Sequence, residues 1–463
     1  MPVHKSSSQF TTLGHRSVNP AWLFACLAAI GGGIWSVVVS FRAHPSAPVR
    51  LPPAASRGPY DPAQTPNAIA AFSRRVRDDK RDWLIRSLLA GYYLQRCRET
   101  GDIGDAVRAE QMARQSLALF SRANDGARDQ LAMSLLTQHR FPEALRTVTP
   151  ATLPRIGATS NVRPQTRLLR AEISLEMGDY DAADRELLQA RERENGPNAV
   201  ALWARLLEIN GKPEQALEQM GHAQAAADAN SGMPAPNLAW FHMRVGNILA
   251  DLGRADEAER SFKEALAIFP NDYRTLTSLA RLEAGRGNWR AVLDWGNRSA
   301  AIVPTPEVVA LLGDAYSALG TPKKAEEQYA LVETIAKLAK AQGAVYDRQR
   351  ALFCADHGRN LDEALVLARR ELQVRHDVYA YDTLAWVCTK KGLKTEAEAA
   401  TAKSLSRGTQ DARLFYHAGM SALAAGNPPL AREYLTRALR LNPYFLPFAP
   451  DNARALLAKM ASK

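Results

Sequence analysis

The chain has 463 residues, more than one compact domain ordinarily holds, and 46% of them are hydrophobic, which excludes wholesale disorder. Its 59 lysines and arginines against 48 acids give a net charge of +11, but no nucleic-acid motif accompanies that excess. The four cysteines, Cys26, Cys97, Cys354 and Cys388, lack any Cys-x-x-Cys spacing and read as buried free thiols rather than a disulfide or metal framework.

Residues 1–20 form a polar tail. Between Arg16 and Arg42 no side chain is charged, and the core of that window is "WLFACLAAIGGGIWSVVVSF". Twenty residues at about 1.5 Å each match the roughly 30 Å hydrocarbon thickness of a bilayer, so residues 21–41 are expected to form one transmembrane helix. A cleaved signal peptide is the main competitor, yet the following "SFRAHPSAP" offers no good small-x-small site. The flanking cations (Lys5 and Arg16; Arg42, Arg50 and Arg57) are too evenly divided to set the orientation. A short tail before a large domain makes an extracytoplasmic placement of that domain the expectation. Residues 42–66 carry Pro45, Pro48, Pro52, Pro53, Pro59, Pro62 and Pro66, and read as an extended, semi-rigid linker. The basic run "SRRVRDDKRDWLIR", 73–86, reads as a solvated helix face or as a contact for anionic lipid or an acidic partner.

Beyond residue 66 the chain repeats itself. Gly246 is followed by Gly253, Ala258, Phe262, Ala265 and Pro270, at +7, +12, +16, +19 and +24. From Gly419 the same offsets give Gly426, Ala431, Leu435, Ala438 and Pro443, and from Gly313 they give Gly320, Ala325, Tyr329 and Val332. Weaker copies start at Leu94, Ala132, Ala171, Ala204, Ala280, Ala351 and Ala385, with His139 replacing the turn glycine in the second. The base period is 33–34 residues. Each copy reads as two helices. Leu312, Tyr316 and Leu319 make a face of the first, and Gly320 ends it in a left-handed conformation. Thr321 is expected to cap the second, with Pro322 at its first position.

This spacing resembles the tetratricopeptide repeat family. The resemblance is strong over 239–445, moderate over 164–238 and weak before 160. It implies an all-α, right-handed superhelical solenoid of about nine to ten helix–turn–helix repeats, preceded here by the transmembrane helix. Degenerate repeats occupy 67–163, the regular array 164–445 and a capping helix 446–463. The resemblance also implies a concave groove for peptides or protein segments, lined by residues one after, three before and six before each small anchor. Those offsets select Asn247, Arg274, Arg281, Asp314, Asp382, Trp386, Arg413 and Tyr416. The set does not reproduce the Lys/Asn/Lys/Arg pattern with which members of the family clamp a terminal carboxylate. The aromatics Tyr379, Tyr381, Trp386, Phe415 and Tyr416 read as core packing or as a site for an apolar segment.

Chemistry finds little support. "GDAYSALGTPKKAEEQY", 313–329, puts six residues between its glycines and Thr-Pro after the second, which defeats a phosphate loop. The nine histidines show no metal-ligand spacing, and there is no Gly-x-Ser-x-Gly elbow. Paired acids such as Glu326–Glu327 and Asp362–Glu363 open second helices, where they suit the helix dipole. The expectation is a non-enzymatic, membrane-anchored scaffold that binds proteins or peptides, with no cofactor, metal, nucleic acid or small-molecule substrate. The alternative is a binding subunit of a complex that makes or secretes an envelope polymer.

Overall fold

The computed structural model describes residues 60–149, 162–191, 196–341 and 347–462. The expected transmembrane helix and most of the linker lie outside the described residues, and none of the described helices is long and apolar enough to cross a membrane. Among the described residues there are 22 helices and no strands. A leading helix α1 (Gln64–Asp78) begins inside the expected linker, so residues 64–66 are helical.

Ten helix pairs follow. They are α2/α3 (Trp83–Thr100, Ile103–Leu119), α4/α5 (Asp125–Thr137, Phe141–Val148), α6/α7 (Pro164–Met177, Tyr180–Arg191), α8/α9 (Pro197–Ile209, Pro213–Ala229) and α10/α11 (Ala235–Asp251, Ala255–Ile268). The second five are α12/α13 (Tyr273–Gly285, Trp289–Ile302), α14/α15 (Pro306–Ala318, Pro322–Ala341), α16/α17 (Asp347–Asp356, Leu361–Glu371), α18/α19 (Val378–Lys391, Lys394–Ser404) and α20/α21 (Ala412–Ala425, Pro428–Leu441). A final helix α22 (Ala449–Ala461) buries Ala449 and Ala453 against the last pair. The pairs are numbered as units one to ten.

The repeat positions have one physical job each. Residues seven after the anchor all have positive φ, including His139 at 58° where the pattern has lost its glycine. Small anchors sit where the two helices of a unit touch: a Cβ on Gly313 would lie 2.3 Å from the Tyr329 ring. The matching second-helix residues, from Ala106 and Ala144 through Ala431, are buried. Burial of both helix faces therefore needs the neighbouring units, and most of the core is shared between them.

Two local expectations change. Thr321 does not cap α15; its hydroxyl donates to the Tyr316 carbonyl at 2.8 Å and so closes the end of α14. Leu319 is exposed, because α14 ends at Ala318 and Leu319 lies in the turn beyond it. The acids that open second helices do more than favour a dipole. Glu326 pairs with Arg359 of the next unit, Asp362 with Lys391, and Asp256 and Glu259 with Arg286. These pairs tie the outer wall from unit to unit, though mostly exposed pairs of this kind contribute little each.

The superhelix is tight enough for successive turns to touch. The His376 amide donates to the Met177 carbonyl at 2.8 Å, and the Val378 amide to the Tyr180 hydroxyl at 2.9 Å. Thr409 Oγ1 donates to the Ile209 carbonyl at 2.5 Å, and Asn442 Nδ2 to the Ala250 carbonyl at 2.8 Å. In each case the turn inside one unit meets the loop that follows the fifth unit after it. Gly101 of unit one likewise faces Val303 and Tyr273. Among the described residues these contacts form a seam along the wall at units one, three, four and five. At the within-unit turns of units seven to ten, a Cβ on Gly320, Gly358, Gly392 or Gly426 would meet nothing within 4 Å, so among the described residues these turns form an open rim.

Candidate functional site

Because the turns close on themselves, the first helices of units one to six converge on an internal cavity of about 300 Å³. Its walls come from α2, α4, α6, α8, α10 and α12 and from no second helix. Side-chain amides are prominent: Gln95, Gln130, Gln165, Asn198 and Asn237 line it, one from each of five successive units. Each such amide both donates and accepts, which is the chemistry that pairs with an extended peptide backbone. Trp240, Phe241 and Tyr92 add aromatic surface, and Arg98, Arg205, Arg244 and Arg274 add charge. A second cavity of about 450 Å³ continues toward the seam and shares Arg98, Glu172 and Arg274 with the first.

The charges are arranged as linked pairs. Glu176 accepts from Arg205 of the next unit at 2.5 Å and from Arg375 across the seam at 2.8 Å. Burial would push its carboxyl up, but the two guanidinium charges outweigh it and hold it at about 2. Arg244 donates to Glu208 at 2.7 Å. Arg98 has its pKa lowered by burial and by the like charge of Arg274, with Glu172 opposing both. Burial raises the Asp129 carboxyl to about 6 despite Arg163 and Thr166 beside it. Among the described residues no group of histidines, cysteines and acids could hold a metal ion.

Of the eight residues selected from the sequence, only Arg274 lines the cavity. Its Nε donates to Asp272 at 2.9 Å, and its Nη2 is buried without a partner. Asn247 accepts from Ser278 at 3.0 Å, and Arg281 reaches Glu307 at 3.3 Å on an exposed part of the wall. Four others are buried and already engaged within the chain. Asp314 accepts from Tyr329 Oη and pairs with His357 Nε2, both at 2.9 Å. Asp382 pairs with His417 Nδ1 at 3.0 Å, with Arg413 Nε 3.7 Å away. Trp386 donates to Asp356 at 2.7 Å and stacks on the His417 ring with centroids 4.3 Å apart. The Tyr416 hydroxyl accepts from Asn452 of α22 at 2.8 Å. Arg413 lies over the Tyr379 ring. In these last units the lumen side of the first helices is filled by a ladder of acid–histidine and aromatic contacts.

That ladder is pH-dependent at His357. Burial would lower its pKa, but the hydrogen bond to Asp314 and that carboxylate's charge outweigh burial and raise it. A raised folded pKa makes the stabilisation full below the ordinary histidine value of about 6.5 and lost as pH rises through the folded value. His357→Leu should therefore cost about 1–3 kcal/mol near pH 6, and clearly less near pH 9, in urea titrations.

Sequence offsets could have found the cavity. Carried into units three and four, the same three offsets give Gln165, Leu168 and Glu172, then Asn198, Ala201 and Arg205, all of which line it. Residues 239–272 match the tetratricopeptide repeat family model. They coincide with unit five and the loop that follows. No curated protein matches the chain. Among solved structures, a tetratricopeptide repeat protein from Parabacteroides merdae is similar, at 19% identity over 58% of this chain and 99% of that chain, with a TM-score of 0.33. Yeast Tom70 is 12% identical over 86% of this chain and 93% of its own, with a TM-score of 0.35. The APC/C hetero-tetramer Cut9-Hcn1 gives 14% identity over 86% of this chain and 93% of that chain, with a TM-score of 0.32.

Proposed function

We propose that the chain is a non-catalytic, single-pass scaffold, anchored by residues 21–41, whose lumen holds an extended segment of a partner protein. The observation that carries this reading is the amide-lined cavity built from six successive first helices. Its volume lies at the small end of the range for ligand sites, so it suits an extended segment and not a folded surface. The amides supply backbone-directed hydrogen bonds, and the aromatic and charged residues between them supply side-chain selection.

Site-specific photo-crosslinking of the full chain in its native membrane tests this. A photoreactive residue at Gln130 should yield a discrete adduct, whereas one at exposed Lys323 on the outer rim should not. Gln130→Trp, which fills the cavity, should abolish capture at a second lumen position, Asn198. Equal adducts from Gln130 and Lys323 would refute the lumen as the binding site. Protease protection in sealed vesicles tests the extracytoplasmic placement separately.

A further inference from the structure

The end of unit one presents an apolar surface that packing does not explain. Leu84 is 50% exposed, Leu119 44% and Phe120 38%. They sit together, because α2 starts where α3 ends and the Trp83 and Phe120 rings lie 4.7 Å apart. The corresponding loops of later units, at 303, 376, 409 and 442, are covered by the seam. Among the described residues no preceding turn lies above that of unit one, which forms part of the other rim of the solenoid.

The loop that carries Phe120 is fixed in place. Buried Asn124 donates to the Phe120 carbonyl at 2.9 Å and to Ser116 Oγ at 3.0 Å, and Ser116 in turn donates to the Trp83 carbonyl at 2.7 Å. Ala123 takes a positive φ of 54° within it. A loop held this firmly presents its apolar residues by construction and does not collapse over them. The segments that lead into that apex carry exposed Arg77, Lys80 and Arg81 before Leu84, and exposed Arg122 two residues after Phe120. Of the acids among them, Asp79 accepts from the Arg81 amide and Asp82 from the Ile85 amide, with Arg75 3.8 Å from Asp82; both carboxylates keep their charge and offset part of the cationic margin. Asp78 is exposed and opposes the cations.

We propose that this rim docks on an anionic bilayer surface, with Leu84, Leu119 and Phe120 at the acyl boundary and the surrounding cations among the headgroups. Apolar and aromatic groups at an apex, with arginine and lysine at the margin, match the depth order of a membrane interface. The proposal rests on the anchor reading for proximity. Residues 42–59 separate the apolar segment from Tyr60, which packs on the wall against Phe269; any proline-rich linker of that length can span up to ~55 Å. That is ample for the rim to meet the membrane that holds the anchor.

The test uses the full chain in nanodiscs of phosphatidylcholine, with or without phosphatidylserine, and in detergent. Amide hydrogen exchange at 79–85 and 118–124 is the readout. Exchange should slow in the anionic discs only, and high salt should restore the faster rate. The charge-reversed variant Arg77→Glu/Lys80→Glu/Arg122→Glu should lose the protection, since each cation near such a surface is worth about fivefold. Leu84→Ser/Leu119→Ser should lose it as well, with thermal unfolding of both variants confirming the fold. Equal exchange in all three media overturns the proposal. So does equal protection in both disc types, or protection in detergent that grows with protein concentration and marks a second copy as the occupant. Failure of the anchor itself is read separately, as a chain that carbonate extracts from neutral vesicles.

Discussion

Alanine at Gly178 should cost about 3 kcal/mol or more in urea unfolding, whereas alanine at Gly392 should cost only about 1 kcal/mol. Both glycines end a first helix with positive φ, at 82° and 76°, so the left-handed strain of a Cβ is the same. Their surroundings differ. A Cβ on Gly178 would lie 2.4 Å from the Asp377 amide nitrogen and from the His376 carbonyl carbon, which are backbone atoms of the next superhelical turn. Relief requires the turns to part, and parting them breaks the bond from the His376 amide to Met177. Nothing lies within 4 Å of the same atom on Gly392. Equal losses at the two positions would mean that the turns do not touch in solution.

Removing the charge at Glu176 should produce a large electrostatic effect, because this carboxylate bridges two guanidinium groups. Glu176→Gln removes the carboxylate that joins Arg205 to Arg375 across the seam, and leaves Arg375 paired only with Glu371 and Asp377 on its own side. Because Glu176 and Arg205 are only half-buried, the loss should fall at or below the low end of what breaking a fully buried pair costs, about 3 kcal/mol. The pH dependence has a definite sign. A carboxyl held at about 2 stabilises the fold above its ordinary value near 4.5, and that contribution is lost as pH falls from there toward 2. On that shift the contribution is about 3 kcal/mol. The native chain should thus lose stability steeply over this acid window, and the Gln variant should lose that much less. Parallel acid titrations of the two proteins, followed by circular dichroism, decide between these outcomes.

The units were legible because close packing demands small residues at fixed spacing. Gly246, Gly313 and Gly419 mark first helices since nothing larger fits beside Phe262, Tyr329 and Leu435. Even the degraded copies at Leu94 and Ala132 mark first helices, because the turn residue keeps positive φ whether it is Gly101 or His139. The cavity was half legible. The offsets implied by the resemblance hold in units three and four, where Gln165, Glu172, Asn198 and Arg205 line it. In unit six they returned Arg274, which also lines it, but in units seven to ten they returned Asp314, Asp382, Trp386 and Tyr416, whose polar atoms are engaged inside the chain. Offsets give the face of a helix, but they do not say whether a neighbouring side chain has filled the space in front of it. The seam was not legible at all. It joins residues about 200 positions apart, such as Tyr180 and Val378, and depends on the pitch of the superhelix. Pitch arises from many small inter-unit rotations, and no single residue encodes it.

The seam also changes what kind of mechanical object the solenoid is. Arrays in which each unit touches only its neighbours behave as springs, since a small rotation at every joint sums to a large extension. Here axial extension must first part hydrogen bonds such as those from the His376 amide to the Met177 carbonyl and from the Val378 amide to the Tyr180 hydroxyl. The body therefore resists load as a tube does, with little strain until a row of bonds yields together. Its lumen keeps a fixed bore under pulling forces below that yield, and a segment bound as proposed would enter it end-on from a rim and not sideways through the wall.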